Sequence, residues 1–358
     1  MLAPHPVKPL RIWLVGFGTV GQWLVRALDI QAERLAQRYG FEVAVVGLVN
    51  ARDGFIYDEN GLDLARALAL AGDGRSIAEQ PGVRCWPTAI EGLRATEADL
   101  LVEVTASPST DGEPGFSHIR EALQRGIPVV TSNKWPVALH GVELAEQARI
   151  RGVAFRVEST VMSGTPVLST LVDGLAGAVP IALRGLLNAT ANFILTRMSG
   201  GESYEDALAE AQRLGLAERD PAADVEGHDT VAKLMILSAL VFGRQLRPTQ
   251  VTCQGITEVT CSETDRAASA GGRIKHVATL SFTGPDGSGD GIARVQPELV
   301  GRDDPLVNIE GTTNAVVCTA SPIGEITISG PGAGPQLAGQ GVLSDVIAIA
   351  RSRSTDIR

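Results

Sequence analysis

Lys233 is the residue whose surroundings most demand a chemical explanation. It lies in the run DVEGHDTVAKLMILSAL (residues 224–240), with Asp229 four residues before it. On a helix that spacing puts the carboxylate and the ammonium on one face. An exposed ion pair is the ordinary meaning of such a spacing. Here, however, Leu234, Met235, Ile236, Leu237, Ala239, Leu240 and Val241 make the following turns apolar on nearly every side. A helix of that kind is buried, and a buried lysine needs a partner or a purpose. Carboxylates gather just upstream at Glu218, Asp220, Asp224 and Glu226. A lysine among carboxylates can give or take a proton at a carbonyl, because its pKa is readily tuned. A second lysine, Lys134, ends the run VVTSNK directly after an apolar strand.

A different chemistry is written near the start of the chain. Gly16-Phe17-Gly18-Thr19-Val20-Gly21 follows the strand-like run Arg11–Val15 and opens a helical stretch. In a dinucleotide loop the first glycine permits the tight turn and the second lets backbone approach a pyrophosphate. The third lets helix and strand pack closely. The pyrophosphate sits on the helix N-terminus, where free N–H groups and the helix dipole favour negative charge. The second strand ends Asn50-Ala51-Arg52, without the carboxylate that takes the ribose hydroxyls of NAD. A guanidinium there favours a 2′-phosphate, hence NADP. Asp53 is adjacent and keeps NAD as the alternative.

These residues need elements to position them. Apolar strands are expected at Arg11–Val15, Phe41–Asn50, Asp99–Ser107 and Gly126–Ser132, alternating with helices at about Thr19–Tyr39 and Phe116–Arg125. Continuous apolar strands between helices imply a parallel sheet covered on both faces. A doubly wound, Rossmann-type domain is therefore expected over residues 8–154, completed by a C-terminal helix within 331–358. Residues 155–330 read as a central α+β domain for substrate binding and dimerisation. Its expected elements are an alternating strand over Leu183–Leu195, helices at Tyr204–Leu214 and His228–Val241, and a hairpin over Asn314–Gly330.

Composition bounds the partners. Of 358 residues, 44% are hydrophobic, enough for two cores. The net charge of -10 repels nucleic acid and anionic membranes, so neither is expected. The four cysteines form no C-x-x-C pair, and none sits at a recognisable nucleophile position. No apolar run is long enough for a membrane span, and the N-terminus lacks a secretory h-region. A cytoplasmic protein is expected.

The motifs GFGTVG, VEVTAS…GEPG, VVTSNK, VESTVMSGTPV, GLLNATANFILTRM, the E-x5-D-x4-D-x3-K array and GPGAG occur in this order. The chain resembles homoserine dehydrogenase from about Arg11 to Ala350, in the short form without an appended regulatory module. The resemblance implies reversible reduction of L-aspartate 4-semialdehyde to L-homoserine by a homodimer. It implies that Lys233 passes a proton to the aldehyde oxygen, that Lys134 lies beside that oxygen or the cofactor, and that Asp229, Asp224 and Glu218 hold the substrate amino group or orient the lysine. Asn188 and Thr190 are the implied further substrate contacts. Thr105, Ala106, Ser107, Ser132, Asn133 and Gly334 join the glycine loop, Asn50 and Arg52 around the dinucleotide. A monovalent cation, Na+ or K+, is implied at Glu158, Val161, Ser163 and Thr165. The chain departs from the family at Ala189 and Ala191, where Gly and Thr are customary, and at Trp135 beside Lys134. These leave two alternatives: a related amino-acid semialdehyde or hydroxy acid as substrate, and a non-catalytic dinucleotide-binding protein.

Overall fold

A computed structural model describes residues 8–283, 289 and 291–355. The chain divides into two compact units. The first runs to Thr160 and resumes at Ala338; the second spans Val161–Leu337.

The first unit is built on β1 (Leu10–Val15), α1 (Thr19–Ile30), α2 (Ala32–Tyr39), β2 (Val43–Asn50), β3 (Gly54–Tyr57), α3 (Leu64–Gly72), β4 (Arg84–Trp86) and α4 (Ala89–Ala95). It continues with β5 (Leu100–Glu103), α5 (Gly115–Gln124), β6 (Val129–Thr131), α6 (Lys134–Arg151) and β7 (Phe155–Arg156). The seven strands lie in the order β4-β3-β2-β1-β5-β6-β7. From β2 through β7 they are parallel, while β3 and β4 are antiparallel additions at one edge. The central strands are apolar on both faces because helices cover both. Ile12 and Leu14 enter one core; Trp13 and Val15 enter the other. β1 has β2 on one side and β5 on the other, so the strand order reverses there. In doubly wound sheets ligands bind at the carboxyl ends of the strands flanking such a point.

One helix was expected over Thr19–Tyr39, and two are found. Gln31 (φ −100°, ψ 6°) interrupts the run, and α2 restarts at Ala32. The strands β5 and β6 are shorter than the apolar runs that announced them, since the chain turns away at the carboxyl edge after Glu103 and Thr131.

In the second unit, α7 (Ser159–Met162) begins at the boundary and a π-helical turn follows at Ser169–Gly174. Then come β8 (Val179–Leu186), α8 (Ala189–Met198), α9 (Tyr204–Arg213), α10 (Ala222–Val225), α11 (His228–Val241), β9 (Thr252–Cys253) and α12 (Cys261–Ser269). β10 (Arg273–Phe282), β11 (Gly291–Val300), β12 (Thr313–Ser321) and β13 (Gly324–Pro331) complete it. Its sheet has the order β13-β12-β8-β10-β11-β9. The expected hairpin is present as antiparallel β12 and β13. Leu183–Leu195 is not one strand: β8 ends at Leu186 and α8 starts at Ala189. The cause is Asn188, an extended N-cap whose Oδ1 accepts the Ala191 N–H at 2.8 Å.

The last helix, α13 (Pro335–Thr355), supplies Val342, Leu343, Val346, Ile349 and Ala350 to the same core as Ile12 and Leu14. No helix among the described residues is long and apolar enough to cross a membrane.

Candidate functional site

The first unit contains a cavity of about 1240 Å³ at the carboxyl edge of its parallel sheet. Gly16, Phe17 and Gly18, the end of β2 from Val49 to Arg52, the start of α4, and Val104–Ala106 after β5 line it. Glu113, Pro114, Ser117 and His118 close one side. The three glycines of the loop differ in what they allow. Gly16 has φ +113°, and a Cβ there would stand 2.8 Å from the Val104 carbonyl carbon. A Cβ on Gly21 would lie 2.1 Å from the Gly16 oxygen, so no larger residue lets α1 pack so closely. Gly18 has nothing within 4 Å of its missing Cβ: it faces open space. It is also the N-cap of α1, and no side chain caps that helix. The α1 N-terminus thus keeps backbone donors for an anion.

At the end of β2, Asn50 is occupied locally. Its Nδ2 donates to Asp53 Oδ2 (2.8 Å), and its Oδ1 accepts from the N–H groups of Arg52 (3.1 Å) and Asp53 (2.6 Å). The Asp53 carboxylate also accepts the Ile77 N–H at 3.0 Å. Partial burial pushes its pKa up, but hydrogen bonds from Ser76, Asn50 and Ile77 and the Arg52 charge outweigh this and hold it low. Asp53 is thus tied inward, whereas the Arg52 side chain is mostly exposed, donates to the Gly74 carbonyl and lines the cavity.

Of the residues expected around a dinucleotide, Gly16, Phe17, Gly18, Asn50, Arg52, Thr105 and Ala106 line the cavity. Asn133 and Ser107 are tied to its rim: Asn133 Nδ2 donates to Ser107 Oγ (2.8 Å) and Thr105 Oγ1 (3.2 Å). Thr19, Val20, Gly21 and Ser132 are not among the lining residues. Gly334 belongs to the second unit, with φ +123° in the loop before α13. Glu103 and His118 were not singled out from the sequence. Glu103 was detectable as an acid inside the apolar run LLVEV, since a charge there is either buried or out of place.

The second unit gathers the lysine and its carboxylates. Lys233 is 7% exposed. Its Nζ lies 3.0 Å from Asp229 Oδ2 and donates to the Leu187 carbonyl at 2.6 Å. Asn188 Nδ2 bridges two acids, donating to Asp224 Oδ1 (2.7 Å) and Asp229 Oδ2 (3.2 Å). Thr190 Oγ1 donates to the Leu216 carbonyl at 2.8 Å. Burial raises the Asp224 pKa, and the neighbouring Asp229 carboxylate adds to the rise; hydrogen bonds from Asn188 and Thr190 and the Lys233 charge oppose it. The β8–α8 junction therefore delivers one carbonyl and one amide to a lysine and two carboxylates from α10 and α11. Glu218 stands outside this cluster, exposed on the loop after α9.

Lys134 is the first residue of α6, directly after its N-cap Asn133. In the first unit, the Glu158 N–H donates to Asp345 Oδ2 at 2.9 Å, and Glu158 is buried. In the second, Ser163 has φ +53°, rare for a residue with a side chain. Its Oγ donates to the Gly332 carbonyl (3.1 Å), and Thr165 Oγ1 donates to that of Pro331 (3.0 Å). Among the described residues no group of three or more His, Cys, Asp or Glu side chains could hold a metal ion.

Two family patterns match the chain: the NAD-binding domain of homoserine dehydrogenase over residues 16–158, and homoserine dehydrogenase over residues 166–347. The chain is 38% identical over 342 residues to an NAD(+)-dependent homoserine dehydrogenase of Pseudomonas canavaninivorans, covering 96% of each. It is 36% identical to a homoserine dehydrogenase of Methanocaldococcus jannaschii, over 95% of this chain and 98% of the relative. A solved hyperthermophilic archaeal homoserine dehydrogenase in complex with NADPH superposes with a TM-score of 0.79 at 29% identity, covering 96% of this chain and 98% of that one. A glycine loop over an uncapped helix end suits a nicotinamide dinucleotide, a buried lysine among carboxylates suits proton transfer to an amino-acid aldehyde, and with these likenesses the chain belongs to the homoserine dehydrogenases, NAD(P)-dependent oxidoreductases that interconvert L-aspartate 4-semialdehyde and L-homoserine.

Proposed function

We propose that Lys233 is the proton donor and acceptor of this reaction, acting at the substrate oxygen C4 carries. The observation that carries the reading is the placement of its Nζ, buried, between Asp229 Oδ2 and the Leu187 carbonyl. In the reductive direction the aldehyde oxygen gains charge as hydride arrives, and a fixed ammonium beside it stabilises that charge and then gives up a proton. Hydride transfer is the chemistry a bound nicotinamide supplies. Asp229 orients the ammonium and favours its charged form. Asp224, Asn188 and Thr190 form the substrate end, where the Asp224 carboxylate meets the amino group; Glu218, exposed outside this cluster, is assigned to the substrate on the family resemblance alone. Lys134 is assigned beside the reacting oxygen or the cofactor on the family resemblance.

NADP is the preferred cofactor in this reading. Asp53 is engaged by Asn50 and Ile77, no carboxylate of β2 lines the cavity, and Arg52 does. The NAD(+)-dependent relative favours a second reading, in which the ribose hydroxyls meet Asn50 and Arg52 stays in solvent. Family resemblance also supports a homodimer through the sheet of the second unit. Exposed Val179, Ile181, Ile292 and Leu299 on its strands fit such a role. Light scattering on the purified chain tests the dimer, and activity with and without Na+ or K+ tests the implied cation at Glu158, Val161, Ser163 and Thr165. The deciding assay is growth of reduced-nicotinamide absorbance with L-homoserine and each dinucleotide in turn. Reduction of NADP with homoserine supports the reading. Turnover of other hydroxy amino acids but not homoserine would shift the substrate and implicate Ala189, Ala191 and Trp135.

A further inference from the structure

Glu103 is the last residue of β5, completely buried beneath the floor of the cavity. A buried carboxylate is costly unless donors surround it. Thr105 and Thr131 supply them, and α5 adds a charge partner. The Thr105 hydroxyl donates to Oε1, and the Thr105 N–H reaches the same oxygen at 3.3 Å. From β6, Thr131 Oγ1 donates to Oε2 at 3.3 Å. From α5, His118 Nδ1 stands 3.7 Å from Oε1, within ion-pair reach when the ring is protonated.

What these donors hold is the cavity wall. Thr105 and His118 both line it. Thr105 Oγ1 also accepts from Asn133 Nδ2 at 3.2 Å, and the Asn133 N–H donates to Thr131 Oγ1 at 2.9 Å. Asn133 Nδ2 reaches on to Ser107, whose Oγ accepts the Gly115 N–H at 3.3 Å at the start of α5. The space is filled: a Cβ on Gly115 would lie 2.4 Å from Asn133 Nδ2. Every link of this chain runs through neutral hydroxyls and an amide except its origin, which is the one carboxylate. His118 Nδ1 is buried without a hydrogen-bond partner and faces Glu103 Oε1 at 3.7 Å.

We propose that Glu103 is the positioning residue of the dinucleotide cleft. Its buried carboxylate fixes the β5–α5 turn and the His118 ring in the shape that receives the cofactor. Glu103 touches no ligand itself; it acts through Thr105, Thr131 and His118. The polar chain from Thr131 to Ser107 is organised by that charge, so neutralising it releases several wall residues together.

The test is dinucleotide affinity, measured by fluorescence of NADH and NADPH on the full chain, with kcat and melting temperature recorded in parallel. Glu103→Gln is expected to weaken binding about tenfold, the size of one charge-assisted hydrogen bond, while kcat at saturating cofactor stays within about threefold. Thr105→Val is expected to weaken binding similarly, and Thr105→Ser to restore it to within about twofold. Because both act on one network, Glu103→Gln with Thr131→Val is expected to bind no more weakly than Glu103→Gln alone. Thr131→Val covers the case in which Glu103→Gln does not fold, since Thr131 does not line the cavity and reaches it through Glu103 and Asn133. It is expected to cost about threefold in affinity. Unchanged affinity in Thr131→Val or in a folded Glu103→Gln, or losses that multiply in the double variant, would overturn the assignment.

Discussion

Replacing Lys233 with methionine keeps the length of the side chain and deletes its charge. At 3.0 Å from Asp229 the Coulomb attraction amounts to about 5–6 kcal/mol with an effective dielectric near 20. That is an upper bound on what is lost, because both charges had first to be withdrawn from water. Removing one member of a buried pair costs about 3–5 kcal/mol, since the other is left uncompensated. Asp229 keeps Asn188 Nδ2 at 3.2 Å and can bind a proton, so the lower end is expected. For a chain of 358 residues the melting temperature should fall by roughly 4 °C on that figure. Adding Asp229→Asn removes the orphaned charge and should return part of the stability without returning turnover. The loss of a general acid and fixed cation is expected to reduce kcat for homoserine oxidation by about 10²–10⁴. Dinucleotide affinity should stay unchanged, since Lys233 does not line the cavity of the first unit. The assay is reduced-cofactor absorbance at saturating substrate, beside calorimetric binding and thermal melts. Turnover above about a tenth of the parent, in the single or the double variant, would refute the assigned proton transfer.

Three further outcomes follow from the geometry. Arg52→Ala should weaken NADP by about tenfold or more and leave NAD nearly unchanged; equal losses, read from the two dissociation constants, would remove the 2′-phosphate assignment. Asp224 has a raised pKa, so its neutral form is the one folding favours. Its contribution to stability is full below the unfolded value and disappears as pH rises through the folded one. Asp224→Asn should therefore stabilise the protein at neutral pH, and the parent's homoserine KM should rise as pH falls through that raised pKa while the variant's profile stays flat. Gly21→Ala forces a Cβ against the Gly16 oxygen and should cost about 1–3 kcal/mol of stability together with cofactor binding, checked by denaturant melts and calorimetry.

The parallel sheet was legible because β1, β2, β5 and β6 are apolar on both faces, a pattern that amphipathic strands do not give. Lys233 and Asp229 were legible for a related reason: a four-residue spacing on a helix that is apolar all round. The break at Gln31 was not, since no glycine or proline marks it and the apolar spacing runs on. Leu183–Leu195 has the alternation of a strand throughout, and only the helix-capping side chain of Asn188 divides it. Glu103 has its partners at positions 105, 118 and 131, and only the closed sheet brings them together. Lys275 is a stronger case. It is buried, with its Nζ donating to the Ile309 carbonyl (2.5 Å) and to Asn192 Oδ1 (3.3 Å), and burial pulls its pKa down to about 8. Asn192 is 83 residues away along the chain, beyond what any local spacing expresses.

The return of α13 to the first unit has a consequence for how the chain acquires its structure during synthesis. Residues after Ala338 complete a core that begins at Leu10, and Arg353 donates to Asp99 across 254 residues. The second unit is contiguous from Val161 to Leu337, so all of it has emerged from the ribosome while the first still lacks one face. Until α13 arrives, the apolar side of the sheet that Val342, Leu343, Val346 and Ile349 will cover stays open to water or to other chains. Contacts of such sequence separation form slowly because the intervening loop must close first. The nucleotide-binding half, though it is translated first, is thus the last to finish, and it is the half exposed to aggregation and to chaperone capture in the interval.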